Sequence, residues 1–179
     1  MGNSSSSGSD SRFTQKALAE LKKEFSRVDS SKTGELDSSR FRELAERIGI
    51  AAAVPKADQD KLFRAFDADG NGTVSFMEVA SSLAVLCTGT PEEKLGYLFT
   101  VYDTSKSGVI DRDELAILIR RMHETAVTLG RSDAQADALE DAILSKLDPR
   151  ETGSVSRGTW IDVGKEIPEL LGLMNQTVE

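Results

Sequence analysis

Two residue types that build many active sites are almost missing from this 179-residue chain, which has one cysteine, Cys87, and one histidine, His123. An internal disulfide is excluded, and so are a Cys/His zinc cluster and a Cys–His nucleophile pair. Cys87 lies in an apolar run, so its expected place is the core. No stretch approaches the roughly 20 apolar residues that span a bilayer, and the N-terminus has no apolar segment of the secretory type. The expected location is therefore the cytoplasm or the cytosolic face of a membrane. Basic residues are in deficit, 22 against 30 acidic ones, for a formal charge of −8. That balance disfavours a footprint on nucleic-acid phosphates and suits a binder of cations or basic peptides. Methionine is scarce too, with Met1, Met77, Met122 and Met174 the full set. No kinase, phosphatase or hydrolase signature occurs, so no catalytic residue is assigned and the chain reads as a non-enzyme.

What is present is a repeat. The first ten residues, Met1 to Asp10, are almost all Ser, Gly and Asn and have nothing to bury, so residues 1–12 read as a flexible tail. From Phe13 onward an amphipathic helix, a polar loop opened by Asp and a second helix recur. The loops start at Asp29, Asp67, Asp103 and Asp148, at offsets of 38, 36 and 45 residues. Leu18, Leu21, Phe25 and Val28 mark the apolar face before the first loop, and Phe41, Leu44 and Ile48 the face after it. Thr90-Pro91-Glu92-Glu93 is a helix start, with Thr90 as cap, Pro91 in the first turn and Glu93 completing a capping box. Ser132 or Asp133 is positioned to cap the helix that enters the fourth loop. The sequence thus predicts an all-α protein of four helix-loop-helix units in two paired, compact lobes: 13–88 and 89–167, with an apolar C-terminal tail over 168–179.

The loops carry the chemistry. Ca²⁺ takes six to eight oxygens, and a twelve-residue loop supplies them from positions 1, 3, 5, 7, 9 and 12, with Gly at position 6 for the sharp turn. The second loop meets each requirement: side-chain oxygens from Asp67, Asp69 and Asn71, the carbonyl of Thr73, Ser75 directly or through water, and both oxygens of Glu78. In the third loop the same positions hold Asp103, Ser105, Ser107, the carbonyl of Val109, Asp111 and Glu114. Its hydroxyls are weaker ligands than carboxylates, and Lys106 and Arg112 dilute its negative charge, so its affinity should not exceed the second loop's. The first loop places Arg40 at position 12, where a cation opposes Ca²⁺. The fourth has Arg150 at position 3 and Thr159 at position 12. Both read as structural. Position 8 holds Leu36, Val74, Ile110 and Val155, which are expected to form short strands pairing loop one with two and three with four.

Over residues 13 to about 165 the chain resembles the four-EF-hand family, and more narrowly the calcineurin-B and neuronal-calcium-sensor group. The narrower match rests on Met1-Gly2-Asn3-Ser4-Ser5-Ser6, which fits a myristoylation pattern at Gly2, on the short connection from Glu78 to Thr90, and on the apolar stretch after the last hand. The resemblance implies two lobes that pack compactly and line one hydrophobic groove. It implies Ca²⁺ as the cofactor, with Mg²⁺ at rest as an alternative occupant. One acyl chain gives reversible membrane association, since no second anchor lies nearby.

The leading functional expectation is a calcium sensor that exposes its groove to an amphipathic helix of a partner. The surfaces uncovered would include Phe63, Phe66, Leu83, Leu86, Leu95, Phe99, Leu115 and Leu118, and so few methionines argue for one or a few dedicated targets. The alternatives are a cytosolic calcium buffer and the regulatory small subunit of an enzyme such as a calcineurin-type phosphatase or a kinase. Pro168 should end or kink the last outgoing helix, whose core face carries Trp160 and Ile161. Leu170, Leu171, Leu173 and Met174 are then either additional core or a tail that covers the groove until a partner displaces it.

Overall fold

The computed structural model describes residues 13–130, 135–148 and 150–174, with the backbone alone at 53 and 56. The proposed acylation position, Gly2, and the proposed caps Ser132 and Asp133 lie outside the described residues. Each helix-loop-helix unit has the predicted order: α1 Gln15–Val28 and α2 Ser38–Arg47; α3 Gln59–Phe66 and α4 Phe76–Leu86; α5 Pro91–Tyr102 and α6 Arg112–Thr128; α7 Ala136–Leu147 and α8 Arg157–Gly164. A further helix, α9 Pro168–Met174, closes the described chain.

Local chemistry sets the helix starts. The Thr14 hydroxyl accepts from the Ala17 amide to begin α1. Pro91 occupies the first turn of α5, where Thr90 and Glu93 form the predicted capping box. In each loop the glycine at position 6 has a positive φ: 78° at Gly34, 86° at Gly72, 80° at Gly108 and 83° at Gly153. A β-carbon there would be strained, which is the physical reason for glycine at that point.

Two short antiparallel ladders join the loops in pairs. β1 Glu35–Leu36 pairs with β2 Val74–Ser75, setting Leu36 opposite Val74, and β3 Val109–Asp111 pairs with β4 Ser154–Ser156, setting Ile110 opposite Val155. These are the expected position-8 residues, and all four are buried. The buried apolar side chains form one continuous cluster running from Phe13 to Met174. Between the lobes, α4 packs on α5 and α6, and α6 on α3. Trp160 is fully buried, with its indole N–H donating to the Leu95 carbonyl at 2.8 Å. Ile161 is half-buried against the same core.

The leftover apolar tail is folded into α9. The preceding helix, α8, already ends at Gly164 with Lys165 as its C-cap, and Pro168 instead occupies the first position of a new helix that lies against α4, α5, α6 and α7. Leu170, Leu173 and Met174 are buried and Leu171 is half-buried. The Met174 carbonyl, at the C-terminal end of this helix, accepts from the buried Lys94 ammonium, a favourable place for a cation. Of the side chains expected to line an opened groove, Phe66, Leu83, Leu95, Phe99, Leu115 and Leu118 are buried, and Phe63 and Leu86 are half-buried. No described helix is long and apolar enough to cross a membrane.

Candidate metal centres

A helix that starts at the end of such a loop has its N-cap at position 9 and its third residue at position 12, so two ligand positions double as capping positions. In the second loop, Ser75 and Glu78 form a full capping box on α4: the Glu78 amide donates to the Ser75 hydroxyl at 3.2 Å, and the Ser75 amide to Glu78 Oε2 at 2.8 Å. Asp111 and Glu114 repeat the box on α6, at 2.8 and 3.2 Å. The outer loops keep the cap and lose the reciprocal bond. Asp37 accepts from the Arg40 amide at 2.9 Å, and Ser156 from the Thr159 amide at 3.2 Å, but neither Arg nor Thr reaches back as a carboxylate.

The four Asp residues at position 1 are held differently. Asp103 accepts from the Ser107 and Gly108 amides at 2.8 and 2.9 Å, and Asp148 from the Thr152 and Gly153 amides at 2.8 Å each. Asp29 has the same pair, from Thr33 at 3.1 Å and Gly34 at 2.8 Å. The Gly34 amide, opposed by burial, holds the Asp29 carboxyl below its ordinary value, and the Thr152 amide and hydroxyl do the same at Asp148. At Asp103 burial pushes the other way, but the Gly108 and Ser107 amides outweigh it. Asp67 stands apart. Its Oδ2 accepts from the Gly72 amide at 3.1 Å, while its Oδ1 is buried without a hydrogen-bond partner.

Asp67 also belongs to the one cluster of its kind among the described residues, where one carboxylate oxygen each of Asp67, Asp69 and Glu78 come within 4.8 Å of one another. Glu78 is 1% exposed, and its Oε1 accepts from the Ala68 amide at 3.1 Å, so position 12 already reaches back to the start of the loop. Three converging carboxylates, one of them with a buried oxygen that no protein donor satisfies, offer acceptors that a cation could take up. The donor set is all oxygen, which fits a hard divalent ion such as Ca²⁺. Asn71 and Thr73 sit on the same loop, Asn71 Oδ1 accepting from the Thr73 amide at 2.8 Å.

The third loop has the same frame but is less gathered. Asp103 and Glu114 are half-buried, Ser105 and Ser107 donate to Asp103 Oδ1 at 3.4 and 3.2 Å, and the Ser107 hydroxyl also bonds the Val109 carbonyl at 3.0 Å. In the first loop the guanidinium of Arg40 donates to the Ser31 hydroxyl at 3.1 Å and lies 3.9 Å from Asp37. A side-chain cation thereby touches positions 3 and 9, two of the places where a metal ion would seek oxygen.

Sequence reasoning did not reach Glu35. Position 7 contributes a carbonyl, so its side chain carries no motif signal, yet Glu35 reaches across the ladder to accept from the Thr73 hydroxyl at 2.9 Å. Nor did it reach the buried polar seam between lobes, in which Ser81 meets Tyr102 at 2.9 Å and Ser82 meets Thr125 at 3.0 Å. Serines on a helix give no hint of partners so distant in the chain.

Comparison with known proteins agrees with this geometry. Residues 18–83 match the family described as an EF-hand domain pair, and residues 98–119 match the family described as an EF hand. Calcineurin B of Schizosaccharomyces pombe is 30% identical over 156 residues, which cover 87% of this chain and 84% of that protein. The calcium-binding protein NCSA of Dictyostelium discoideum is 32% identical over 118 residues, covering 66% of this chain and 61% of that one.

Proposed function

We propose that this chain, which belongs to the EF-hand family of calcium-binding proteins in the group of calcineurin B and the neuronal calcium sensors, is a Ca²⁺ sensor that binds through its second and third hands. The observation that carries this reading is the second loop's gathering of Asp67, Asp69 and Glu78, of which Asp67 keeps one buried oxygen without a partner. Asn71, the Thr73 carbonyl and Ser75 complete that ligand set. Asp103, Ser105, Ser107, the Val109 carbonyl, Asp111 and Glu114 form the other. Bound Ca²⁺ supplies charge neutralisation and an oxygen-coordinated fixed point within each loop.

The protein's own residues then carry the switch. Glu78 and Glu114 each cap the helix they begin, so recruiting their carboxylates to an ion exchanges capping bonds for metal bonds and pulls on α4 and α6. Those two helices pack on each other and on α9. A shift between them loosens the seat of α9 and uncovers the apolar surface it occupies. The occupant that takes its place is an amphipathic helix of a partner protein. The S. pombe relative is by name one component of a larger assembly, which favours a dedicated partner over free buffering. The working division is an N-terminal pair over 13–88, a C-terminal pair over 89–167 and a covering tail from 168. Acylation at Gly2 would add reversible attachment to the cytosolic face of a membrane.

The switch is tested with an environment-sensitive hydrophobic dye. Saturating Ca²⁺ should raise dye fluorescence several-fold in the wild-type protein and leave the Glu78→Gln, Glu114→Gln double variant unchanged. Wild-type protein that binds Ca²⁺ without new dye binding, or without a changed affinity for a helical peptide, is a buffer.

A further inference from the structure

A buried polar contact between the lobes ends beside the third loop. Tyr102, 2% exposed, stands immediately before Asp103, and its hydroxyl lies 2.9 Å from the fully buried hydroxyl of Ser81 on α4. Ser81 has one proton, which goes to the Met77 carbonyl at 2.9 Å in its own helix. Tyr102 must therefore donate to Ser81, which leaves the phenol oxygen free to accept. Arg121, half-buried on α6, fills that role at 3.5 Å. The chain of bonds runs in one direction, from the guanidinium of hand three's outgoing helix to the residue preceding Glu78.

Arg121 also lines a cavity of about 380 Å³ together with Asp69, the position-3 ligand of the second loop. The neighbouring cation, Arg120, is committed to Glu140 at 2.9 Å. Arg121 stays firmly charged: burial works against its charge, and the Tyr102 hydroxyl, Glu78 and Asp69 together more than offset it. A half-buried guanidinium seated on an interlobe hydrogen bond and sharing a cavity with a carboxylate of the second loop has a definite electrical consequence.

We propose that Arg121 is a built-in counter-cation for the second loop, delivered by a helix of the third hand, and that it lowers the loop's affinity for Ca²⁺. It ligates nothing and acts through its charge, which offsets that of Asp69 and repels an incoming cation. It partly offsets the second loop's richer carboxylate set and makes that loop's affinity depend on how α6 sits. A shift of α6 on filling of the third loop would move the cation and so alter the second. This rests on the reading that the second loop holds Ca²⁺.

The test uses the full chain carrying Glu114→Gln, so that calorimetric titration with CaCl₂ reports the second loop alone. Adding Arg121→Gln should tighten Ca²⁺ binding by about three- to tenfold at low salt, with the gain shrinking in roughly 1 M KCl because charge screening removes the repulsion. Arg121→Lys, which keeps the charge, should stay within about twofold of its parent. Arg121→Met keeps the apolar stem and should tighten binding similarly if the Gln variant does not fold. A residue with only a packing role would give unchanged or weaker binding, and either result overturns the proposal, as does a gain that salt does not reduce. Absence of binding in the Glu114→Gln parent would instead overturn the assignment of the second loop.

Discussion

Hands one and two are partners in one ladder, with matching position-1 Asp, position-6 Gly and a buried aliphatic residue at position 8, yet they are electrically opposite. In hand one the Asp29 carboxyl accepts amides at both oxygens, and Arg40 lies across the loop against Ser31 and Asp37. In hand two one Asp67 oxygen is left without a partner, and Glu78 turns inward instead of Arg40's cation. The lesson is that loop shape and metal affinity are set by different residues. Glycine, the position-1 carboxylate and the aliphatic at position 8 build the frame; on the proposed reading, the residue at position 12 decides whether the frame takes an ion. On that reading hand one is a scaffold with its own tethered cation, and it meets hand two through β1 and the Glu35 carboxylate that engages Thr73.

The largest effect should come from making the active hand resemble the inert one. Glu78→Gln keeps the side chain's size and removes a charged bidentate ligand, so it should weaken Ca²⁺ binding at the second loop by at least about 100-fold, read from calorimetric isotherms. The reverse exchange should give a smaller effect. Arg40→Glu removes the tethered cation, completes an Asp37–Glu capping box and leaves Asp29, Ser31, Thr33, the Glu35 carbonyl and Asp37 as ligands. It should add a third, weak site with a dissociation constant on the order of 10⁻⁵ to 10⁻³ M. Thr159→Glu should add none, because Arg150 still occupies position 3 of the fourth loop.

The smallest effect concerns the metal-free protein and pH. Asp29 and Asp148 have carboxyls held below their ordinary value in the folded state by loop amides. A depressed folded value means a contribution that is in place above the unfolded value, about 4, and is lost as pH falls through the folded one. The melting temperature in chelator should therefore be nearly flat from about pH 8 to 5 and fall only below about pH 4. Asn at both positions should flatten that acid limb. An unaltered acid limb in the double variant would mean that these carboxylates do not hold the inert loops together.

Much of this was legible in the sequence for a local reason. The twelve-residue loop, its glycine, its strand residue and the capping pairs Ser75–Glu78 and Asp111–Glu114 all act within one turn or one ladder, so residue spacing exposes them. The start of α5 at Pro91, capped by Thr90 and Glu93, was readable in the same way. What spacing could not show was anything closed by tertiary packing. That Leu170, Leu173 and Met174 are buried in a docked helix, with its Lys94 contact, needed the folded α9. Arg121, Tyr102 and Ser81 come from three helices, and each taken alone is an ordinary helical residue. Glu35 sits at a position whose side chain the loop pattern ignores. Arg40 was recognised as a missing ligand, whereas its reach to Ser31 as a replacement cation required the folded loop.

The central claim, that hands two and three hold metal while one and four hold shape, is tested most directly by counting. Isothermal titration of the wild-type protein with CaCl₂ should saturate at two ions per chain, with dissociation constants on the order of 10⁻⁷ to 10⁻⁵ M, and Glu78→Gln should remove one of them. Four ions, or two ions retained at unchanged affinity after Glu78→Gln, would contradict it.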